Sequence, residues 1–185
     1  MFDIIGSRVS NWNNLRYARE YNEELAIALL KEELAEFEVG DEIERIDALC
    51  DVIFVACGVV WKLGLEICPQ TINSFKAYYQ YNPFNVRDTG ANTIALVRQM
   101  PGSLLVATNM HALIAACFVG LSFYFDSEDY AYKAVLAICD SNDTKEVVKT
   151  TSDVKANGSY KGPNYVSPTA ALNQLVKECF DVECH

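Results

Sequence analysis

Residues 31–64, KEELAEFEVGDEIERIDALCDVIFVACGVVWKLG, constrain the fold more than any other stretch of the chain. Leu25, Leu29, Leu30, Leu34 and Phe37 recur at helical intervals among good helix formers, which predicts a helix over about 15–39. Gly40 reads as its stop. Asp41 with Glu44 three residues later has the form of a capping box, opening a second helix over about 42–63 that closes at Gly64. So short a turn makes the two helices antiparallel neighbours.

Spacing then decides what the acids of this hairpin can do. Residues three or four apart share one face of a helix. Glu32 or Glu33 therefore lies one turn from Glu36, and Glu44, Asp47 and Asp51 form one stripe on the second helix. If the two acid faces meet, several carboxylates converge where that helix turns wholly apolar. Carboxylates packed so closely repel unless a cation neutralises them. Clustered oxygens without His or Cys at ligand spacing suit a hard ion, Mg²⁺ or Mn²⁺. Glu23, Glu38 and Glu42 read instead as solvated acids on amphipathic helices. Asp51 differs, because Val52, Ile53, Phe54, Val55, Ala56 and Cys57 follow it into a buried region. A buried acid needs a partner or a metal.

At these residues a resemblance enters. Glu32-Glu33-x-x-Glu36, then acid pairs on the next helix, then a Val-Ile-Phe-Val-type run ending in Gly resemble the all-α nucleoside triphosphate pyrophosphohydrolases. These are the MazG-like proteins, related to phosphoribosyl-ATP pyrophosphatases and dimeric dUTPases. The first motif matches the family's EExxE. For the family's ExxD, Glu44-x-x-Asp47 fits by letter, whereas the apolar run sets the family's Asp at Asp51, three residues after Ala48. Asp47 and Glu44 both stand open as the remaining ligand. Asn142-x-x-Lys145 is similar to an Asn-x-x-Lys that follows the last helix in some of these proteins. Lys161-Gly-Pro-Asn-Tyr165-Val-Ser-Pro168 is similar to the Lys-Gly-x-x-Tyr-x-x-Pro tail that accompanies it. The resemblance covers about 15–64 and 126–168 and leaves 65–125 unexplained.

The resemblance implies an all-α helical bundle of the NTP pyrophosphatase type. It implies metal-dependent hydrolysis of a (deoxy)nucleoside triphosphate to the monophosphate and pyrophosphate. Glu33, Glu36 and Asp51, with Asp47 or Glu44, would hold Mg²⁺ (or Mn²⁺). Catalytic roles would fall to Glu32, Glu33 and Lys145, with Glu32 orienting or deprotonating the attacking water. Asn142 and Lys145 would meet the phosphates, and Lys161 and Tyr165 would join from the tail. Trp12 and Arg16 would line a base or sugar site, although a large aromatic such as Trp12 also reads as a core anchor. The family's habit implies a homodimer or homotetramer. A phosphoribosyl-ATP pyrophosphatase and a non-catalytic helical interaction protein are the rival readings. A carboxylate-bridged di-iron bundle needs Glu-x-x-His pairs, which this sequence lacks.

The rest of the chain bounds these expectations. Its length suits one domain with a sizeable core. A formal charge of −10 argues against broad binding to nucleic acid or anionic membrane, though not against a phosphorylated small molecule held through a metal. Seven Cys occur without a CxxC pair; Cys50, Cys57, Cys117 and Cys139 sit in apolar runs and read as buried thiols of a reducing, cytoplasmic compartment. The N-terminus has no basic-then-apolar signal. Residues 1–14 read as a lead-in with a turn at Asn11-Trp12-Asn13-Asn14. Pro69 starts a third helix through Phe75, Tyr78 and Tyr79. Asn82-Pro83-Phe84-Asn85 and Asp88-Thr89-Gly90 read as breaks, 92–99 as a short helix, and Pro101-Gly102 as a boundary. Residues 103–125 are apolar enough to span a bilayer, but Asn109 and His111 interrupt them and a bundle's central helix explains them better. They also echo the second helix, His111-Ala-Leu-Ile-Ala115 against Asp47-Ala-Leu-Cys-Asp51, without the acids. A helix from Ser127 to about Cys139 and a last one over 169–180 complete the reading, with Ser167-Pro168 as its cap.

Overall fold

Residues 103–125 contain no Asp, Glu, Lys or Arg, so a helix made from them has to be wrapped by others. In the computed structural model, which describes residues 1–80, 86–99, 102–147 and 159–182, they form α6, Ser103–Phe125. The other helices are α1 (Phe2–Asn14), α2 (Glu23–Val39), α3 (Glu42–Lys62), α4 (Pro69–Tyr79), α5 (Val86–Gln99), α7 (Glu128–Asp143) and α8 (Thr169–Val182). The architecture is an all-α bundle. Its one sheet among the described residues is a ribbon of two-residue strands, β1 (Glu146–Val147) antiparallel to β2 (Ser159–Tyr160), with Glu146 opposite Tyr160.

Helix α6 is long and apolar enough to cross a membrane, and it instead lies at the centre of the bundle against α3, α4, α5 and α7. Phe118, Leu113, Ile114, Leu121 and Phe125 are fully enclosed. Helix α3 is the second core helix: from Val52 to Trp61 only Val55 keeps appreciable exposure. Its other sides are covered by α1, α2 and α7. The apolar half of α3 is therefore largely enclosed, and Asp47 and Asp51 stand at the rim of the enclosed part.

The hairpin of α2 and α3 forms as its spacing predicts. Asp41 accepts from the Glu44 amide at 3.0 Å while Glu44 accepts from the Asp41 amide at 2.8 Å, closing the capping box. Gly40 ends α2 in an extended rather than a left-handed conformation. Glycine is required there by crowding: a Cβ would stand 2.9 Å from the Glu36 carbonyl oxygen and 2.7 Å from the Glu44 Cβ. Gly64, at φ +80°, does use the left-handed region, and it closes α3 with the Leu65 amide donating to Val60.

Several boundaries differ from the sequence expectation. Residues 1–14 are not a lead-in but helix α1, burying Phe2, Ile5, Val9 and Trp12 at intervals of three and four. Helix α2 begins at Glu23, not near Leu15, because Asn22 caps it by accepting from the Leu25 amide. The intervening turn lets Arg19 reach the Trp61 carbonyl at 2.8 Å, at the end of α3. Asp88-Thr89-Gly90 is no break but lies inside α5, where Gly90 gives room to Leu34 of α2, 2.6 Å from where a Cβ would be. Helix α7 runs to Asp143, a turn beyond Cys139. The break expected at Asn82-Pro83-Phe84-Asn85 lies outside the described residues, as does Pro101; Gly102 caps α6.

His111 is the polar interruption of α6, and the fold satisfies it. Its Nε2 accepts from the Cys68 amide at 3.0 Å, where α4 begins, and its other ring nitrogen donates to the Ala107 carbonyl. Burial holds its pKa below the ordinary value of 6.5. A folded pKa below the unfolded one gives stability that is present above pH 6.5 and lost as pH falls through the folded value. Replacing His111 by Leu leaves the Cys68 amide unpaired, and we expect a loss of about 1–3 kcal/mol at neutral pH. The gap between parent and variant should narrow in acid, as measured by urea titrations from pH 8 to pH 5.

Candidate functional site

The antiparallel α2 and α3 bring their acid faces onto one cavity of about 400 Å³. Glu32, Glu33 and Glu36 line it from α2, and Asp47 and Asp51 from α3. The opposite wall comes from the end of α7 and the segment after β2: Asn142, Lys145, Lys161 and Tyr165. Carboxylates and ammonium groups thus face a common space. Glu44 is not in that wall; its carboxylate closes the α3 capping box. Of the two open candidates for the last ligand, Asp47 is the one at the cavity.

Burial and repulsion set the state of these acids. Glu33 is pushed up to about 9, first by burial, then by Asp51, Glu36, Glu32 and Asp47. Asp47 is pushed up to about 7 by burial, with Asp51 and Glu36 adding and Lys161 and Lys145 opposing. Asp51 is also raised, by burial foremost, against the pull of Lys145, Lys161 and a hydrogen bond from the Asn142 amide. Asp51 is half-buried, and its carboxylate lies on the cavity. Glu32 and Glu36 lie at the exposed rim. The buried Asp47 Oδ1 has no hydrogen-bond partner among the described residues.

The donor set fits a hard cation in chemistry: carboxylate oxygens alone, one of them orphaned. Among the described residues no group of three or more His, Cys, Asp or Glu side chains stands close enough together to hold a metal ion. Mg²⁺ commonly takes one or two carboxylates, several waters and the phosphates of a substrate. The cavity leaves room for those additional oxygens.

The cationic wall depends on its own supports. Trp12 Nε1 donates to the Asn142 carbonyl at 2.7 Å, and Arg16 donates to the Lys145 carbonyl at 2.8 Å and the Trp12 carbonyl at 3.2 Å. Arg16 also lies over the Trp12 ring, 4.5 Å from its centroid. Arg16, expected at a base or sugar site, is instead a clasp holding the end of α7, and it lines neither cavity. Trp12 is a core anchor that also shows an edge to a smaller neighbouring pocket. Ser141, which the sequence did not single out, fastens the tail by donating to the Val166 carbonyl at 2.8 Å. Thr144 accepts from the Val166 amide at 2.9 Å. Lys161 lies over the Tyr165 ring at 4.9 Å, which orders the two tail residues together. The signal for Ser141 and Thr144 was only their place beside Asn142 and Lys145 in a polar helix end.

These shifts have a definite sign. Acids that bind protons more tightly when folded make stability fall as pH rises, from the ordinary carboxylate range up to about 7 for Asp47 and about 9 for Glu33. The metal-free protein should therefore be more stable near pH 5 than near pH 9. Glu33→Gln should remove much of that slope and raise metal-free stability at pH 9, by on the order of 1–3 kcal/mol. Thermal melts in chelator across that range measure both effects.

No model of a known protein family matches the chain, no curated protein matches it, and no solved structure matches it.

Proposed function

We propose that the chain is a metal-dependent nucleoside triphosphate pyrophosphohydrolase of the MazG-like kind, releasing a nucleoside monophosphate and pyrophosphate. The observation that carries the reading is the meeting of five acids from α2 and α3 with Lys145, Lys161 and Asn142 across one cavity. Acids alone would hold a cation, and lysines alone an anion. Facing each other across such a space, they fit a metal–polyphosphate complex, which presents both signs. When bound, Mg²⁺ (or Mn²⁺) would supply charge neutralisation on the phosphate oxygens and a more acidic water.

The chain's own residues then divide the work. Glu33, Asp47 and Asp51, raised in pKa by burial first and by neighbouring acids after it, are the groups that gain most from a cation and are assigned to hold it, with Glu36 at the rim. Glu32, exposed at the cavity edge, orients or deprotonates the attacking water. Asn142 donates to Asp51 and fixes its carboxylate. Lys145 is a point charge suited to the departing pyrophosphate, and Lys161 with Tyr165 closes the phosphate side. Positioning and charge stabilisation do most of the catalysis in such a transfer.

Product identity tests the reading. With Mg²⁺, a nucleoside triphosphate should yield monophosphate and intact pyrophosphate by chromatography. Glu33→Gln and Asp51→Asn should reduce turnover by at least about a hundred-fold. Lys145→Ala should lower kcat more than it raises KM, with the circular dichroism unchanged. Orthophosphate and a diphosphate as products would assign another reaction. Turnover of phosphoribosyl-ATP alone would assign the rival substrate.

Assembly is part of the same proposal. The family habit suggests a homodimer or homotetramer. The apolar runs of α3 and α6 are largely enclosed within one chain, leaving Leu104 and Phe123 as the prominent exposed apolar side chains of α6. Light scattering at micromolar concentration should give at least twice the chain's mass. A monomer would overturn this and favour α6 as the element that replaces a partner's helix beside α3.

A further inference from the structure

Helix α2 has a second face in use. Glu32, Glu33 and Glu36 turn toward the acidic cavity, whereas Lys31, Leu34, Ala35 and Glu38 lie on the opposite side of the helix. There a groove of about 480 Å³ runs between α2 and α5, and it shares no lining residue with the cavity. Two contacts fix how the helices run along it. Arg87 of α5 pairs with Glu38 of α2 at 3.0 Å, and Leu34 of α2 fills the space left by Gly90 of α5. Going from the first contact to the second moves back along α2 and forward along α5, so the helices are antiparallel. Continuing the same way brings Lys31 of α2 and Arg98 of α5 to one end of the groove, and both line it.

The two ends differ in charge. Arg87 and Glu38 neutralise each other at one end. Lys31 and Arg98, exposed at the other, form no ion pair among the described residues. They make a positive spot on a chain whose formal charge is −10. Between the ends the floor is apolar. Leu34, Phe37 and Ile94 are half-buried there, and the small side chains of Ala35, Ala91 and Ala95 leave the trough open to solvent. An apolar trough rimmed by charge is the form of an interaction site rather than of ordinary surface. The helical rise from Lys31 to Glu38 makes the floor about 10 Å long, and a volume of about 480 Å³ falls in the range of small-molecule pockets. The complementary ligand has an apolar body of that length and one anionic end, because the paired charges at the far end leave nothing for a second.

We infer that the α2–α5 groove binds an amphipathic carboxylate, an aliphatic chain with a single acid head. The head sits between Lys31 and Arg98, where the planar guanidinium matches a carboxylate with two parallel hydrogen bonds. The chain lies along Leu34, Ala91 and Ile94. This site is separate from the acidic cavity and does not depend on what that cavity binds.

Calorimetry on the full chain tests it with three probes. Decanoate has both parts of the ligand, butyrate has the acid head on a chain too short for the floor, and decyltrimethylammonium has the long chain with the opposite charge. Decanoate should saturate at one per chain and bind at least about ten-fold tighter than either of the others. Arg98→Glu should weaken decanoate by at least about ten-fold by reversing the charge at the head. Ala91→Glu should do the same by placing a carboxylate on the floor. Both positions are exposed on α5, so circular dichroism should not change in either variant. Absence of saturable decanoate binding, equal binding of butyrate or of decyltrimethylammonium, or a decanoate affinity indifferent to both substitutions would overturn the inference. If decanoate fails to bind and Arg98→Glu instead lowers the mass measured by light scattering, the groove is covered by a second copy of the chain, and the inference falls.

Discussion

A 23-residue helix without a charged side chain dictates most of this architecture. Burying α6 on all sides requires several helices, and the chain supplies α3, α4, α5 and α7. Of these, α3 is itself apolar all round beyond Asp51, so the two pack as a core pair. The hydrophobic gain from enclosing both is what can offset the cost of placing carboxylates at the edge of the same region. Without the enclosed α3–α6 pair, Asp47 and Asp51 would face water and would carry ordinary carboxylate chemistry.

The price of that arrangement is visible in the acids themselves. Glu33, Asp47 and Asp51 are all raised, and burial is the first cause for each. Lys145 and Lys161 oppose the shift at Asp47 and Asp51 without overcoming it. The negative charge of these acids is thus under-compensated within the chain. The clasps of Trp12 and Arg16 on the end of α7, and of Ser141 and Thr144 on the tail, fix the cationic wall at a distance instead of letting it collapse onto the acids as simple ion pairs. No salt bridge of a lysine to Glu33, Asp47 or Asp51 forms among the described residues.

Local chemistry was legible in the sequence, and distant compensation was not. The capping box at Asp41 and Glu44, the acid spacing of α2 and α3, and the apolar character of α6 each depend on residues within a turn or two. The fold keeps all of them. Helix α1 had a readable signal in Phe2, Ile5, Val9 and Trp12, but its Gly, Ser and Asn residues masked it. Asp88-Thr89-Gly90 looked like a turn because glycine usually interrupts a helix; here Gly90 makes room for Leu34, a neighbour more than fifty residues away in sequence. Residues 15–22 have helix-forming composition yet form a turn, because Arg16 and Arg19 bond carbonyls of α7's end and α3's end. Propensity lost to tertiary contacts in each case.

The same distinction explains what could be foreseen of the site. The acids declare themselves by spacing, since they share faces of adjacent helices. Glu44 shows the limit of that logic: it lies on the right stripe, but the first turn of a helix has unsatisfied amides, and its carboxylate answers one of them instead of the cavity. Asn13 and Gly58 carry no motif at all. They come together only because α1 packs against α3 and sets a buried amide beside a missing side chain, next to the acidic cavity. The acid cluster is thus written along two neighbouring helices, whereas the pocket beside it is made by a contact between elements more than forty residues apart. A change that preserved every acid but altered the α1–α3 contact would leave the acidic cavity in place and reshape the pocket beside it.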